Sequence, residues 1–427
     1  MNLFTSTENE SRKSFLLKAA AAFGFAPFQG LFAEDKMASQ AEKIRIDSPV
    51  KSVIFLNMAG GMSHVDTLDP KKQSQFGTTS SSIRGVRLSN VMRKTARELK
   101  RTSLIRSVGS SQGDHVRAQF LLHTGYDVGA GFPDIPSMGA VIAYAHYKPG
   151  PYFPQHITLG GRGRMIGKGG FLGTRFNSYH IGNPDRPLSN IEGHRWLREH
   201  RFFRREQFLD MLNENFGKKV ESKNTNEWKK MHKAALDFMN SEQLKVFNIK
   251  KEKSRTRKRF GDTRVGKGML LAKRLAAAEV PFIEVTVGGW DTHSNNKERI
   301  AKIMTDLDPA IAALLGELGS TGLLKQTLVV LSSEFGRTPN MASNGNGRDH
   351  FPRAWTTLIA GGKIDSGRVI GATDRKGEKV IKNPVTVQDQ VATIYKAAGI
   401  DYQASLKSGF GRPFPLLPKG KPIKGLI

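Results

Sequence analysis

Residues 51–61, KSVIFLNMAGG, form a short apolar run that ends at a pair of glycines. Its length and its β-branched and aromatic residues favour a buried β-strand. The runs PFIEVTV at 281–287 and TLVVLS at 327–332 have the same composition. The segments that precede them, 266–278 and 300–318, carry apolar residues at the spacing of one helix face. Strands alternating with helices predict an α/β fold, with a mainly parallel sheet covered on both faces.

The composition narrows the chemistry available to the chain. Its 427 residues suffice for a substantial core, and a mean hydropathy of −0.40 excludes a multispanning membrane protein. Cysteine is absent, so a disulfide, thiolate-bound zinc, an iron–sulfur cluster and a cysteine nucleophile are all excluded. The 66 Lys and Arg outnumber the 38 Asp and Glu, giving a formal charge of +28. This charge leaves nucleic acid, an anionic surface and an anionic small substrate open as partners.

The N-terminus has the features of a bacterial export signal. The basic segment SRKSFL at 11–16 precedes an alanine-rich apolar stretch, with small residues near Ala33 and Ala41. The segment resembles the twin-arginine pattern, with Lys13 in place of the second arginine. We therefore predict an export signal over residues 1–41, a location in the periplasm or cell envelope, and no transmembrane segment after signal removal. An amphipathic N-terminal helix of the fold is the alternative.

Residues 42–427 are predicted to form a single domain with a helical insertion at about 190–260. The insertion is rich in Lys, Arg, Asn, Glu and Phe and ends in the basic run KKEKSRTRKR at 250–259. A nucleic-acid-binding tract would carry interleaved aromatic residues or a known motif, and this run has neither. We interpret the run as a solvated helix face or loop, and nucleic acid is disfavoured as a partner.

Polar side chains follow each of the three predicted strands. The segments are GGMSHVDTLDPK from Gly60, GGWDTH from Gly288, SEFGRTP from Ser333 and GRDHFP from Gly347. Loops at the carboxyl ends of parallel strands meet at one edge of the sheet, and carboxylates and imidazoles are ligands of divalent metals. The sequence therefore predicts a divalent-metal site at this edge, with the candidate ligands Asp66, Asp291, His293, Glu334, Asp349 and His350.

The spacing Asp291-x-His293 is the most specific of these signals. In an extended segment alternate side chains point the same way, so both residues can reach one cation. Arg337 and Arg348 lie beside the acids in sequence, either as counter-ions or as a clamp for a phosphate or sulfate. For any single Asp or His, a helix cap, a turn or a structural hydrogen bond remains the alternative.

These clusters, in this order, resemble the DUF1501 family of exported bacterial proteins, which is related to the alkaline-phosphatase and sulfatase superfamily. The resemblance covers nearly the whole mature chain. Besides the four loops above, the matching segments are HVRAQFLLHTGY from His115, PSMGAVIAYA from Pro136, the segment from Arg259 to His293, TLVVLSSEFGRTP from Thr327 and the segment from Gly347 to Asp374. It implies an α/β/α sandwich, like that of alkaline phosphatase, with a metal-hydrolase-like site. It implies no particular substrate.

The resemblance also implies roles for individual residues. Asp291 and His293 are the pair presented to one metal, and Glu334, Asp349 and His350 supply ligands for the other. His115, Arg337 and Arg348 are the candidate substrate-binding residues.

The first strand departs from the superfamily pattern. It carries Asn57 where active members usually have an acid, and Asp66 follows several residues late. The chain has no C/S-x-P-x-R element, so a formylglycine sulfatase is disfavoured. Ser63 is the candidate nucleophile and His64 its catalytic neighbour, whereas a plain turn-forming serine is the alternative.

Two functions follow from the sequence. The first is an exported metal-dependent hydrolase-like protein that acts on phosphate or sulfate esters of an anionic small molecule or polysaccharide. Its divalent ion would be zinc, manganese, magnesium or calcium. The alternative is a non-catalytic envelope binding or assembly protein that retains the fold and uses its positive charge for attachment.

Overall fold

The computed structural model describes residues 40–132, 134–148, 153–161, 167–188, 241–343, 345–408 and 411–427, with a few isolated positions between 204 and 239. The predicted export signal over residues 1–41 lies almost entirely outside the described residues. Most of the predicted insertion at 190–260 also lies outside them. The described end of the insertion is helical, and its basic run is mostly exposed.

The described residues contain strands and helices in alternation. The strands are β1 Ser52–Met58, β2 Thr78–Ser80, β3 Arg87–Ser89, β4 Ser103–Gly109, β5 His156–Gly160, β6 Tyr179–Ile181, β7 Phe282–Val287, β8 Thr327–Ser332, β9 Gly336–Arg337, β10 His350–Phe351, β11 Trp355–Ala360, β12 Val369–Ile370, β13 Ala372–Thr373, β14 Val380–Lys382, β15 Val385–Thr386, β16 Ser405–Lys407 and β17 Pro413–Pro415. The helices are α1 Arg93–Glu98, α2 His115–Thr124, α3 Met138–Ala145, α4 Ser254–Phe260, α5 Arg264–Ala277, α6 Asn296–Ser320 and α7 Val387–Ala397. Short 3-10 helices lie at Asn90–Met92, Leu99–Arg101, Gly170–Leu172, Thr174–Phe176, Glu242–Phe247, Ile249–Lys251 and Leu323–Lys325.

One large sheet organises these elements. Within the described residues it has nine strands in the order β12-β4-β11-β8-β1-β7-β5-β6, with β15 also paired to β4. Strand β1 pairs in parallel with β7 and β8, whereas β11 is antiparallel to both of its neighbours. The predicted α/β class and mainly parallel sheet are confirmed.

Strand β1 lies between β8 and β7 in the interior of the sheet, and all seven of its residues are buried. Its side chains alternate between two hydrophobic cores, as the period of a strand requires. Ile54 and Leu56 pack in the core that contains α5 and α6. Val53 and Phe55 pack in the opposite core, which contains α3 and α7. The mainly parallel sheet thus lies between two helical layers, as expected for the predicted α/β/α sandwich.

Polar caps fix where the helices begin. The Asp308 carboxylate of α6 accepts the backbone N–H groups of Lys94 and Thr95, at 2.8 and 2.7 Å, at the start of α1. Thr386 and Asp389 form a reciprocal capping box at the start of α7. Among the described residues, no helix combines the length and apolar character needed to span a membrane.

Two helical glycines are predicted to respond to alanine with opposite signs. A Cβ at Gly139 in α3 would lie 2.5 Å from Phe282 Cδ1, whereas one at Gly268 in α5 would lie 3.8 Å from Val285 Cγ1. Overpacking should therefore lower the free energy of unfolding of Gly139→Ala by about 1–3 kcal/mol. Helix propensity should raise that of Gly268→Ala by about 0.5–1 kcal/mol. Denaturant unfolding measures both, and equal responses would contradict the helix–sheet contact at Gly139.

Candidate functional site

The site lies where the loops after β1 and β7 touch at the carboxyl edge of the sheet. Gly60 has φ +116°, and a Cβ there would lie 2.6 Å from the backbone nitrogen of Asp291. A residue with a side chain would therefore push the two loops apart, which explains why this turn is glycine. This contact places Asp291 next to the loop that follows the carboxyl end of β1.

Four side chains meet at this point, and we call them the histidine–aspartate cluster: His115, Asp291, His293 and His350. Asp291 Oδ1 lies 3.1 Å from His293 Nε2 and 3.4 Å from the Nε2 atoms of His115 and His350. His293 Nε2 and His350 Nε2 are 3.1 Å apart. Three imidazole nitrogens therefore surround one carboxylate oxygen, although the residues come from α2, the loop after β7 and β10.

Hydrogen bonds outside the cluster fix the orientation of all three rings. Each Nδ1 donates to an oxygen: His115 to Glu334 Oε1 at 2.8 Å, His293 to Asp349 Oδ1 at 2.9 Å and His350 to the Gly113 carbonyl at 2.8 Å. With its proton on Nδ1, a neutral imidazole turns the lone pair of Nε2 inward. Histidines that bind metals are commonly held in this way. Ligand atoms of His115, Asp291 and His350 lie within 4.8 Å of one another and fit a divalent ion, and His293 Nε2 lies beside two of them.

The charges of the site are set by these contacts. Burial alone would raise the pKa of Asp291, but Arg337 and the nearby histidines lower it to about 2. Burial likewise opposes ionisation of Glu334, yet the hydrogen bonds from His115 and the backbone of Gly60 leave its pKa below the ordinary value. Both carboxylates are therefore ionised at neutral pH. The hydrogen bond to Glu334 raises the pKa of His115.

Arg337 holds the loops rather than facing solvent. Its side chain is fully buried and donates to the Gly61 carbonyl at 3.1 Å, the Arg348 carbonyl at 2.9 Å and the carboxylate of Asp291. It also donates to the Gly60 carbonyl. With these donors engaged, Arg337 positions Asp291.

Asp66 and Arg348 form a separate, fully buried ion pair. Arg348 Nε lies 2.7 Å from Asp66 Oδ2, and Nη2 lies 3.2 Å from Oδ1. Asp66 also accepts the Gln75 backbone N–H at 3.0 Å and the Asn296 side-chain amide at 3.1 Å. The carboxylate is thus committed to protein donors, and the structure does not bring Asp66 into the cluster.

Ser63 and His64 are also buried away from the cluster. The Ser63 hydroxyl donates to Asp66 Oδ2 at 2.7 Å, which fixes the turn after β1. His64 Nε2 lies 2.9 Å from the Gly377 carbonyl, and burial lowers the pKa of its ring. In this arrangement neither side chain faces the position that the three Nε2 atoms surround.

The structure thus divides the predicted residues into two groups. Those at the cluster are His115, Asp291, His293, Glu334, Arg337, Asp349 and His350, whereas Ser63, His64, Asp66 and Arg348 lie in the packed loops behind it. Within the first group, Glu334 and Asp349 hold imidazoles, and His115 lies at the centre although the sequence placed it with the substrate-binding residues.

A buried polar network beneath α2 was not predicted from the sequence. His123 Nε2 lies 3.2 Å from Glu284 Oε1, and Asn57 Nδ2 donates to the same oxygen at 2.9 Å. Asn57 therefore belongs to this network and not to the cluster. The spacing of His115, Gln119 and His123 was the available signal, because residues four apart share one face of a helix.

The fold and the cluster define an α/β protein with a metal-site geometry at the carboxyl edge of its sheet. Residues 50–427 match the model of the family described as "Protein of unknown function (DUF1501)". The chain belongs to this family, which confirms the resemblance found in the sequence. No curated protein matches the chain in sequence.

Several solved structures are similar to this chain. The structure described as Ps i-CgsB is 12% identical, has a TM-score of 0.43, and the match covers 87% of this chain and 76% of that chain. The PsFucS1 sulfatase from Pseudoalteromonas sp. is 11% identical with a TM-score of 0.40, covering 86% and 71%. A protein in the alkaline phosphatase superfamily from Vibrio parahaemolyticus is 10% identical with a TM-score of 0.37, covering 87% and 77%.

The buried ion pair yields a test of the role of Asp66. Asp66→Asn leaves the Arg348 guanidinium buried without its counter-charge, so the free energy of unfolding should fall by about 3–5 kcal/mol. The control is Asp365→Asn, because Asp365 pairs with Arg368 at the surface and its loss should cost less than about 1 kcal/mol. Denaturant unfolding compares the two variants. A loss of bound metal from Asp66→Asn at unchanged stability would instead make Asp66 a ligand.

Proposed function

We propose that this protein is a metal-dependent hydrolase of phosphate or sulfate esters. Its divalent ion would be held by the histidine–aspartate cluster. The observation that carries the proposal is the orientation of the three rings, whose Nδ1 atoms all donate outward while their Nε2 atoms face Asp291 Oδ1. Lone pairs and a carboxylate that converge in this way are stabilised by positive charge among them, supplied either by a cation or by protonation of the rings.

A bound divalent ion supplies a Lewis acid that polarises an ester oxygen and stabilises negative charge. The ligand set, rich in imidazole, suits zinc or manganese better than calcium. No cysteine competes for the ion.

The residues of the chain hold and orient this centre. Glu334 and Asp349 accept hydrogen bonds from the Nδ1 atoms of His115 and His293 and so hold the proton on that nitrogen. Arg337 fixes the position of the Asp291 carboxylate. Asp291 and His293 are each 48% exposed, so the centre is open to a substrate from solvent. The formal charge of +28 favours the approach of anionic esters, whether small molecules or polysaccharides. The proposed location in the periplasm or cell envelope rests on the N-terminal sequence.

A non-catalytic binding protein is the second candidate. The placement of Ser63 favours it, because the hydroxyl is buried and donates to Asp66 instead of facing the cluster. A hydrolase would then need water as its nucleophile, whereas a binding protein needs none.

Metal analysis of the purified full chain tests the proposal. After chelation and re-equilibration with zinc or manganese, the wild-type protein should retain about one equivalent of metal. His293→Ala should lose it with only a modest loss of stability in the metal-free protein, because His293 is half exposed. His180→Ala, a half-buried histidine of β6, serves as the matched control and should keep the metal.

Activity on chromogenic phosphate and sulfate esters separates the two candidates. Turnover by the metal-loaded wild type that is absent in His293→Ala supports the hydrolase. Metal binding without turnover on any ester favours the binding protein. Less than about half an equivalent of metal in the wild type would overturn the metal site itself, and equal metal in wild type and His293→Ala would show that His293 is not a ligand.

Glu334 is predicted to set the affinity of the site through His115. Glu334→Gln removes the negative charge that holds the Nδ1 proton, so the metal dissociation constant should rise by about tenfold or more. Glu317→Gln on α6 removes a partly buried carboxylate that pairs with Arg259 and Lys273, and should leave the constant unchanged. Competition with a chromophoric chelator measures both, and equal constants would show that Glu334 does not act on the site.

A further inference from the structure

One face of α2 carries a row of polar side chains that leads away from the histidine–aspartate cluster. His115, Gln119 and His123 are spaced four residues apart, so they follow one another on the same side of the helix. His115 belongs to the cluster, whereas His123 Nε2 lies 3.2 Å from Glu284 Oε1 beneath the helix. Gln119 lies between them with its side chain half-buried. It is therefore the neighbour of the cluster histidine along this face.

Glu284 sets the direction of the hydrogen bonds at the buried end of this row. Burial alone would raise its pKa, but His123 and the hydrogen bond from Asn57 leave the pKa below its ordinary value, so the carboxylate is ionised. An ionised carboxylate only accepts hydrogen bonds. Glu284 Oε1 accepts from Asn57 Nδ2 at 2.9 Å and from the Thr286 hydroxyl at 3.1 Å. Asn57 must therefore turn its nitrogen, and not its oxygen, toward Glu284.

Asn57 passes this direction on to Gln119. The Asn57 Nδ2 group carries two hydrogens, and Nδ2 lies 3.4 Å from Gln119 Oε1 as well as beside Glu284. With Oε1 engaged at Asn57, the planar amide of Gln119 turns Nε2 away from the network. Among the described residues Gln119 Nε2 has no hydrogen-bond partner, and it keeps contact with solvent. The buried charge thus fixes an open N–H donor beside His115.

A donor at this position supplies what the cluster lacks for an anionic ester. Arg337 and Arg348 donate to protein groups, so neither guanidinium is directed to the oxygens of a phosphate or sulfate. Side chains four residues apart on a helix have Cβ atoms about 5–6 Å from each other. An ester group bound at His115 therefore lies within reach of the Gln119 amide. Because Asn57 already orients this amide, it need not reorganise when the ester binds.

We propose that Gln119 is a substrate-binding residue whose Nε2 donates to a non-bridging oxygen of a phosphate or sulfate ester at the cluster. Glu284 is a positioning residue, because it acts through Asn57 to keep the amide nitrogen outward. This inference rests on the proposed function, since the ester must bind at the histidine–aspartate cluster. It adds a contact for the anion that is distinct from the metal ligands.

Titration calorimetry with inorganic phosphate and sulfate on the zinc-loaded full chain tests the donor. Gln119→Glu keeps an oxygen for Asn57 and replaces the outward N–H group by a second oxygen. Gln119→Met removes the donor without adding charge. Each variant should raise the dissociation constant of the better-bound anion by at least about tenfold, as expected for a hydrogen bond to a charged group. The metal content of the same samples should stay near that of the wild type.

The control is Gln403→Glu, which makes the same change of charge at an exposed position after α7 and should leave anion binding unchanged. Equal anion constants for the wild type, Gln119→Glu and Gln119→Met at equal metal content would overturn the proposal and leave the metal site intact. Absence of phosphate and sulfate binding by the metal-loaded wild type would overturn it in the same way.

A double-mutant cycle tests the positioning role of Glu284. The side chain of Glu284→Gln can donate as well as accept, so the direction of the Gln119 amide is no longer fixed and anion binding should weaken by about threefold or more. In the Gln119→Met background the same substitution should add no further weakening, because the donor is already absent. Additive effects would overturn the positioning role. Asn57→Ala breaks the same link and replaces Glu284→Gln in the cycle if that variant does not fold.

A wild-type chain that holds no metal would be a failure of the proposed function, which the metal analysis detects separately. The same titrations on the metal-free chain then decide the inference. Phosphate or sulfate binding that is weakened in Gln119→Met supports the donor, whereas no binding, or equal binding by both proteins, overturns it.

Discussion

The buried guanidinium of Arg337 joins the loops on which the candidate site is built. It donates to carbonyls of the loop after β1, to the carbonyl of Arg348 and to the carboxylate of Asp291 after β7. A buried charge is tolerated only where its donors are satisfied, so these loops can take few other arrangements. The orientation of Asp291, and through it the meeting point of three histidines, depends on this one side chain.

The segment GRDH at 347–350 shows how the same loops separate structural from chemical residues. Arg348 turns inward to Asp66, while Asp349 and His350 turn toward the cluster. A Cβ at Gly347 would lie 1.8 Å from the carbonyl oxygen of His293, so the backbone of this loop runs against the loop after β7. Arg337 and Arg348, which were expected near a substrate, therefore have structural roles. Arg337 pairs with Asp291 and Arg348 pairs with Asp66, and both acids were predicted from the sequence as metal ligands.

Local signals in the sequence were sufficient for the α/β class and for three central strands, whereas the sandwich was implied by the family resemblance. The apolar runs at 281–287 and 327–332 correspond to β7 and β8, and the helical pattern at 266–278 corresponds to α5 Arg264–Ala277. The site could be predicted only as a set of loops, because side-chain direction in a loop follows no period. The partner of Asp66 lies 282 residues along the chain. Contacts of this kind decide which acid is buried, and propensity and spacing carry no information about them.

The large sequence separations within the cluster have a consequence for biogenesis. His115 lies 219 residues from Glu334, the carboxylate that orients it, and His350 belongs to β10, which pairs with β9 outside the large sheet. Such long-range contacts form late in folding, and a growing chain on the ribosome lacks three of the four cluster residues until Asp291 has been added. Any ion that the cluster binds would therefore be acquired by the completed polypeptide. The compartment in which folding finishes would decide which metal pool supplies it.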